Sequence, residues 1–341
     1  MSNYNPNTYI QAFAALGEYL RQPDEQLTQL IQTEKLHNAW FTPENIQSAI
    51  DAIAVNLTIA NLKQWLEQYP QNENKQPKSV GLILAGNIPL VGFHDVLSVI
   101  LSGNRALIKA SSQDARLIIY LLNKLVEINI SIEGSFTFVE RLQNFDAVIA
   151  TGSDNTSRYF EYYFGKVPHI IRKNRNSIAV LTGNETREQL HTLGHDIFDY
   201  YGLGCRNVSK LLVPAGYDFT TFFESIEAYS EVGNHHKYHN NYDYNKSIYL
   251  VNRDKHYDNG FLLVKQDERL ASPLAVLFYD EYEHLEAAET IINSQSDKIQ
   301  CVVSVTSLKV NNQVVEFGQS QQPGLGDYAD GIDTMKFLAD L

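Results

Sequence analysis

Cys205 stands in the stretch Tyr200-Tyr201-Gly202-Leu203-Gly204-Cys205-Arg206-Asn207, just past an amphipathic segment and on a glycine-loosened turn. A thiol attacks through its thiolate, which an accessible, electropositive setting such as the one beside Arg206 stabilises. Isolated cysteines are more often small buried hydrophobes, so this stretch alone leaves both readings open. Cys301 is the contrast, because Ile299-Gln300-Cys301-Val302-Val303 reads as a strand and its thiol as packing.

Three further stretches place polar groups where a parallel sheet gathers ligands, at the carboxyl ends of strands. In Leu84-Ala85-Gly86-Asn87-Ile88-Pro89, Gly86 frees the backbone, Pro89 opens a helix, and the Asn87 amide is an uncharged donor suited to an oxyanion. Ordinary turn chemistry would produce the same residues. In Ile108-Lys109-Ala110-Ser111-Ser112 a strand ends in a cation and two hydroxyls, suited to a ribose or a phosphate, or simply in its first solvated residues. In Ala150-Thr151-Gly152-Ser153-Asp154 a strand enters a helix whose first amides, with Ser153, could hold a phosphate or merely be capped.

The elements that must position these residues follow from periodicity. From Pro6 to about Gln68 apolar residues recur at three and four (Ile10, Phe13, Leu16, Leu20), which predicts an all-helical segment. The polar, proline-flanked stretch Tyr69–Pro77 reads as a linker or surface loop. Short β-rich runs then alternate with helical ones: strands at Val80–Ala85, Ala106–Ala110, Ser135–Val139 and Ala147–Thr151, with helices Leu90–Leu101 and Asp114–Glu127 between the first three. A second series starts near Ser177, with helices at Glu185–Tyr201, Phe219–Tyr229 and His284–Ile292. Its strands are expected at Ser177–Leu181, Lys210–Val213, Ser247–Val251, Phe261–Val264, Ala275–Tyr279 and Gln300–Val305.

Composition removes several classes. The 341 residues carry a formal net charge of −13 and no basic block, so no footprint for nucleic acid exists. Two cysteines cannot build a disulfide framework, the first residues lack a signal-peptide pattern, and no apolar run approaches the roughly 18 residues of a membrane span. A cytoplasmic protein is the expectation. Gly324-Leu325-Gly326-Asp327-Tyr328-Ala329 matches a dinucleotide fingerprint, but too little chain follows it for a βαβ unit. His235, His236 and His239 fall in a polar Asn/Tyr-rich tract expected to be a loop, so no metal site is expected.

Taken in order and spacing, the four stretches resemble the aldehyde dehydrogenase superfamily, and within it the LuxC-type acyl-CoA reductases. Asn87-Ile88-Pro89 is similar to the family's oxyanion turn, Gly103-Asn104 with Lys109 to its cofactor-binding strand, and Thr151-Gly152-Ser153 to the helix start against the dinucleotide. Gly202 and Cys205 match its Gly-x-x-Cys nucleophile, and Pro323–Gly326 its tail. The resemblance implies an α/β, aldehyde-dehydrogenase-like fold: an N-terminal helical segment (1–70), a dinucleotide-binding domain (78–184), a catalytic cysteine domain (185–315), and a tail (316–341) returning to the cofactor domain. It implies reduction of an acyl-CoA or acyl-protein thioester to an aldehyde through Cys205 and Asn87. The cofactor would be held by Lys109, Ser111, Ser112, Thr151, Gly152 and Ser153. It further implies a homo-oligomer and an acyl-activating or acyltransferase partner enzyme.

The departures sharpen this. Where aldehyde-oxidising relatives carry a glutamate that activates water, Arg172 stands in Arg172-Lys173-Asn174-Arg175-Asn176-Ser177, which favours thioester reduction over hydrolysis of an acyl-enzyme. Ser112 stands where NAD-preferring relatives place a ribose-binding glutamate, and a serine does not repel a 2′-phosphate, so NADPH is expected. A family glutamate contacting the nicotinamide ribose falls on Arg269, with Glu268 as the neighbouring carboxylate. Among local cations, Lys109, Arg172, Lys173, Arg175 and Arg206 are the candidates to meet polyanionic ligands, while His191 and His195 read as surface or packing residues. A cysteine acyltransferase or thioesterase without redox chemistry, and a non-catalytic scaffold of the same fold, are the alternatives.

Overall fold

The computed structural model describes residues 4–70, 76–152 and 154–341. The chain opens with helices α1 (Pro6–Arg21), α2 (Glu25–Thr33), α3 (Pro43–Asn56) and α4 (Ile59–Leu66). Each begins on a side-chain cap: Asn5, Asp24, Thr42 and Thr58 accept from a backbone N–H three residues on. Such caps satisfy amides that a helix start otherwise leaves orphaned. Gly17 lets α1 press on the end of α3, since a Cβ there would lie 2.3 Å from the Leu57 carbonyl oxygen.

Strands β1 (Ser79–Ile83), β2 (Arg105–Lys109), β3 (Phe136–Phe138), β4 (Ala147–Thr151) and β5 (His169–Arg172) follow, with helices α5 (Phe93–Leu101), α6 (Ala115–Ile128) and α7 (Asp154–Phe164). They form a parallel sheet ordered β3-β2-β1-β4-β5. Winding runs outward from β1 through β2 to β3, then reverses through β4 to β5. The crevice beside the carboxyl ends of β1 and β4 is therefore a topological switch point, where α/β sheets bind ligands. Helix α5 begins at Phe93 rather than Leu90 because Leu90 has a left-handed backbone (φ 57).

A second compact unit spans Arg175–Pro323, while Met1–Asn174 and Gly324–Leu341 form the first. The second unit contains β6 (Asn176–Val180), α8 (Arg187–Phe198), β7 (Val208–Pro214), α9 (Thr220–Ile226), α10 (His236–Asn252), β8 (Tyr257–Asp258), β9 (Leu263–Gln266), β10 (Val276–Tyr282), α11 (Leu285–Ser294), β11 (Ile299–Val303) and β12 (Val314–Val315). Its sheet runs β12-β11-β6-β7-β10-β9-β8, and only the β8–β9 pair is antiparallel. The fold is thus α/β, with two wound parallel sheets and a helical lead-in.

The apolar run Ser247–Val251 is not a strand but the end of α10. The inward face of that helix is carried by Tyr238, Tyr242, Asn245 and Tyr249, while Leu250 and Val251 face outward. Helical spacing was present, written in tyrosines rather than aliphatic residues. The histidines of the expected polar loop lie at its start, and among the described residues no cluster suits a metal ion. Among the described residues no helix is long and apolar enough to cross a membrane.

The tail ends in α12 (Thr334–Ala339), tied to the first unit by a polar cluster within its core. Trp65 Nε1 donates to the Tyr328 hydroxyl at 2.7 Å, and His94 Nε2 lies 2.9 Å from the Leu325 carbonyl oxygen. Arg172, at the end of β5, donates to Asp95 Oδ2 of α5 at 2.5 Å and to Thr334 Oγ1 at 2.9 Å, with Arg172 4% and Asp95 7% exposed. Removing one partner of a buried ion pair strands the other charge, at a cost of about 3–5 kcal/mol. Arg172→Ala is expected to lose stability on that order in urea unfolding, and Arg172→Met combined with Asp95→Leu to recover most of it. Equal destabilisation by the single and double variants would show that the pair itself is not what matters.

Candidate active site

In the first unit the expected ligand-binding residues gather at one sheet edge. Gly86 and Asn87 follow β1, Lys109, Ser111 and Ser112 end or follow β2, and Thr151 and Gly152 end or follow β4. Ser153 lies outside the described residues. Asn87, Lys109 and Ser112 are exposed, and Ser111, Thr151 and Gly152 are half-buried. The turns after β1 and β2 touch: a Cβ on Gly86 would lie 2.4 Å from Ser111 Oγ. Glycine is required at that approach. The donor set, a lysine cation with hydroxyls beside a switch point, fits a dinucleotide.

Asp114 was not singled out by the sequence, yet it joins the same two turns. It occupies the N-cap position of α6 but makes no side-chain cap to its own helix. Its Oδ2 instead accepts from the Leu90 N–H at 2.8 Å, holding the left-handed residue that closes the Asn87 turn. The side chain is 4% exposed, and Oδ1 has no hydrogen-bond partner among the described residues. Burial pushes this carboxyl up to about 8; the Leu90 N–H opposes the rise, and the charge of Glu34 adds to it. Glu34, itself raised by burial, is ion-paired with Arg116 at 3.2 Å.

In the second unit Cys205 is exposed and Cys301 buried. The passage to Cys205 is strained, with Tyr200, Tyr201 and Gly202 all left-handed (φ 53, 57 and 77). Cys205 then sits second in a turn closed by the Asn207 N–H donating to the Gly204 carbonyl at 3.1 Å. Ser177 Oγ donates to the Cys205 carbonyl at 3.0 Å and lies 3.1 Å from Cys301 Sγ, so the second cysteine packs behind the turn that carries the first.

The segment that contains Glu268 comes back to this turn. Gly202, Gly204 and Tyr201, with Ser272, Pro273 and Leu274, line a cavity of about 50 Å³. Glu268 is exposed, and Arg269 is paired with Asp267. What fixes the segment is Lys210, 1% exposed, whose Nζ donates to the Asp267 and Glu268 carbonyls at 3.0 Å each and lies 3.5 Å from Asp280. Burial pulls the Lys210 ammonium below its ordinary range.

The expected cations divide. Lys109 and Lys173 are exposed and Arg175 half-buried, whereas Arg172 is buried against Asp95 and Arg206 is 9% exposed with Nη2 donating to Gln313 at 3.2 Å. His191 and His195 pack against Tyr229, and His195 is also 3.2 Å from Asp199.

Asp114 carries a pH dependence with a definite sign. A carboxyl raised from 3.8 to about 8 contributes stability below pH 4 that is lost as pH rises through 8. The slope in that window is at most about 1.4 kcal/mol per pH unit. Asp114→Asn is expected to flatten the decline in unfolding free energy between pH 5 and pH 8 relative to the parent. Parallel pH profiles for the two proteins would refute the assignment.

Comparison with known proteins supplies the context. Residues 4–224 match the family described as acyl-CoA reductase (LuxC). A long-chain acyl-protein thioester reductase of Aliivibrio fischeri is 31% identical over 163 residues, 42% of this chain and 34% of the relative, so the match spans about a third of that protein. Aldehyde dehydrogenase 21 of Physcomitrella patens, solved with succinate, superposes with a TM-score of 0.70 at 13% identity, covering 99% of this chain and 85% of that one. A Mycobacterium tuberculosis aldehyde dehydrogenase solved with NAD+ gives 0.66 at 13% identity, covering 92% and 78%. The fold is that of the aldehyde dehydrogenases, and the chain belongs to the acyl-CoA reductase (LuxC) family.

Proposed function

We propose that the protein reduces an acyl-CoA or acyl-protein thioester to an aldehyde, with NADPH as reductant and Cys205 as the acyl-carrying nucleophile. The observation that carries the reading is an exposed thiol on a clamped turn in a chain whose water-activating position is occupied by a buried, ion-paired Arg172. An acyl-enzyme without a base to activate water survives long enough to be reduced. The acyl-protein option draws on the Aliivibrio fischeri relative, described as an acyl-protein thioester reductase.

Cys205 Sγ attacks the thioester carbonyl, a new carbon–sulfur bond forms, and the donor thiolate leaves. The Asn87 amide and the Cys205 N–H are assigned to the oxyanion, an interaction worth about 3–4 kcal/mol per donor in such sites. Lys109, Ser111, Ser112, Thr151, Gly152, Ser153 and Glu268 are assigned to the cofactor, with Ser112 accommodating a 2′-phosphate. When bound, the reduced nicotinamide supplies the hydride that converts the cysteinyl thioester to the aldehyde level. The adduct then collapses, its carbon–sulfur bond breaks, and Cys205 is regenerated as the thiolate as the aldehyde departs. A homo-oligomer in the cytoplasm, served by an acyl-activating or acyltransferase enzyme, completes the reading.

Loss of NADPH absorbance with a panel of acyl-CoAs tests it. Cys205→Ala is expected to abolish both thiol release and NADPH consumption while the protein remains folded, and retained turnover would overturn the mechanism. Thiol release without NADPH consumption in the parent would instead indicate an acyltransferase or thioesterase. Asn87→Ala is expected to slow turnover about 10²–10³-fold, and an unchanged rate would remove Asn87 from the site. Ser112→Glu is expected to shift preference from NADPH toward NADH, with an unaltered ratio counting against the phosphate argument.

A further inference from the structure

The turn that presents Cys205 is reached through strained backbone. A left-handed backbone costs a residue with a side chain about 1–2 kcal/mol, and Tyr200 and Tyr201 adopt it in succession before Gly202. Strain of this kind persists only where the surroundings over-determine it. Tyr200 is 6% exposed, the Tyr201 ring lies 4.4 Å from that of His235, and within the passage the Leu203 N–H donates to the Tyr200 carbonyl at 3.1 Å.

Asn207, 3% exposed, ties this path to the helix before it and the turn after it. Its Nδ2 donates to the carbonyls of Asp196 in the last turn of α8 at 3.2 Å and of Asp199, the residue just past the helix, at 2.8 Å. Its Oδ1 accepts from the Gly204 N–H at 2.8 Å, while its own N–H donates to the Gly204 carbonyl at 3.1 Å. Both backbone groups of the residue before Cys205 are thus bound to one asparagine. The Asn207 carbonyl accepts from the Ser177 N–H at 3.4 Å, and Ser177 Oγ returns to the Cys205 carbonyl. A helix end, the strained passage, the cysteine turn and strand β6 all meet at this residue. An ordinary cap would use one of these bonds; here a buried amide uses its acceptor and both donor directions.

We infer that Asn207 is a positioning residue that fixes the Cys205 turn in its reactive conformation. It acts through Gly204 and the carbonyls of Asp196 and Asp199 and takes no part in bonds to substrate. The inference rests on Cys205 being the nucleophile. Its signature is a loss in acylation rate without a loss in affinity, because the turn is mis-set while the ligand-binding elements of the first unit are untouched.

The test is single-turnover release of coenzyme A from an acyl-CoA, with NADPH affinity and thermal midpoint measured on the same full-length proteins. Asn207→Ala is expected to slow release about 10–100-fold while NADPH affinity stays within about twofold. Asn207→Asp, which keeps the acceptor for Gly204 and loses both donors, is expected to fall between parent and Asn207→Ala, and it carries the test if the alanine variant does not fold. Release at the parent rate from either folded variant overturns the inference, as does a matching loss of NADPH affinity, which marks general disruption. Cys205→Ala separates the two levels: if it still releases coenzyme A, the nucleophile assignment falls and this inference with it. If it is inert while Asn207→Ala acylates normally, only the role of Asn207 falls.

Discussion

The buried pair of Arg172 and Asp95 sets the terms for the first unit. A guanidinium and a carboxylate removed from water must satisfy each other, and the geometry that lets them do so joins the last strand of one sheet to the first turn of α5. The Asn87 turn enters α5 two residues before Asp95, through Leu90 and Phe93, so its far end is fixed by a charge on β5. Thr334 gives the same arginine a third anchor and draws the tail into the arrangement. An arginine committed in this way is unavailable as a base and equally unavailable to a ligand phosphate. One buried arginine thereby ties a strand, a helix and the tail of the unit together.

The near end of the Asn87 turn is held differently, by a carboxyl group whose pKa burial pushes upward. Asp114 gives up its helix cap to bind Leu90, and Gly86 lies against Ser111. The turn assigned to the oxyanion and the turn assigned to the cofactor therefore share contacts through four residues. In the second unit Lys210 does comparable work on the Glu268 segment and Asn207 on the cysteine turn. Each of these turns is set by a buried polar side chain whose partners are mainly backbone atoms.

Those buried side chains are what the sequence concealed. Strands β1, β2, β4 and β11 and helix α6 were legible because aliphatic periodicity records burial directly. Helix α10 was not, because its buried face is made of tyrosines and one asparagine that read as a polar loop. Asn87, Lys109 and Cys205 could be picked out because short spacings tie them to turns. Asp114 looked like an ordinary cap, Lys210 like a residue in a strand, and Asn207 like turn filler. Their roles depend on partners such as Leu90 and Glu268, 24 and 58 residues away in the chain, or on a helix end whose left-handed exit no local pattern announces.

The distribution of cations finally constrains how an acidic chain can handle polyanions. With a net charge of −13, long-range attraction is unfavourable, so recognition must be local. Of the five cations the sequence offered, Arg172 is committed to Asp95 and Arg206 is largely buried with Gln313, which leaves Lys109, Lys173 and Arg175 nearer solvent. Lys109 alone among these stands at the carboxyl edge of a strand bordered by hydroxyls. Under the proposed function, anion recognition in the first unit is assigned to one lysine, the Ser111 and Ser112 hydroxyls, and backbone amides at the switch point. Neutral donors are directional where charge is not, and such a set discriminates the shape of a phosphate more than its charge.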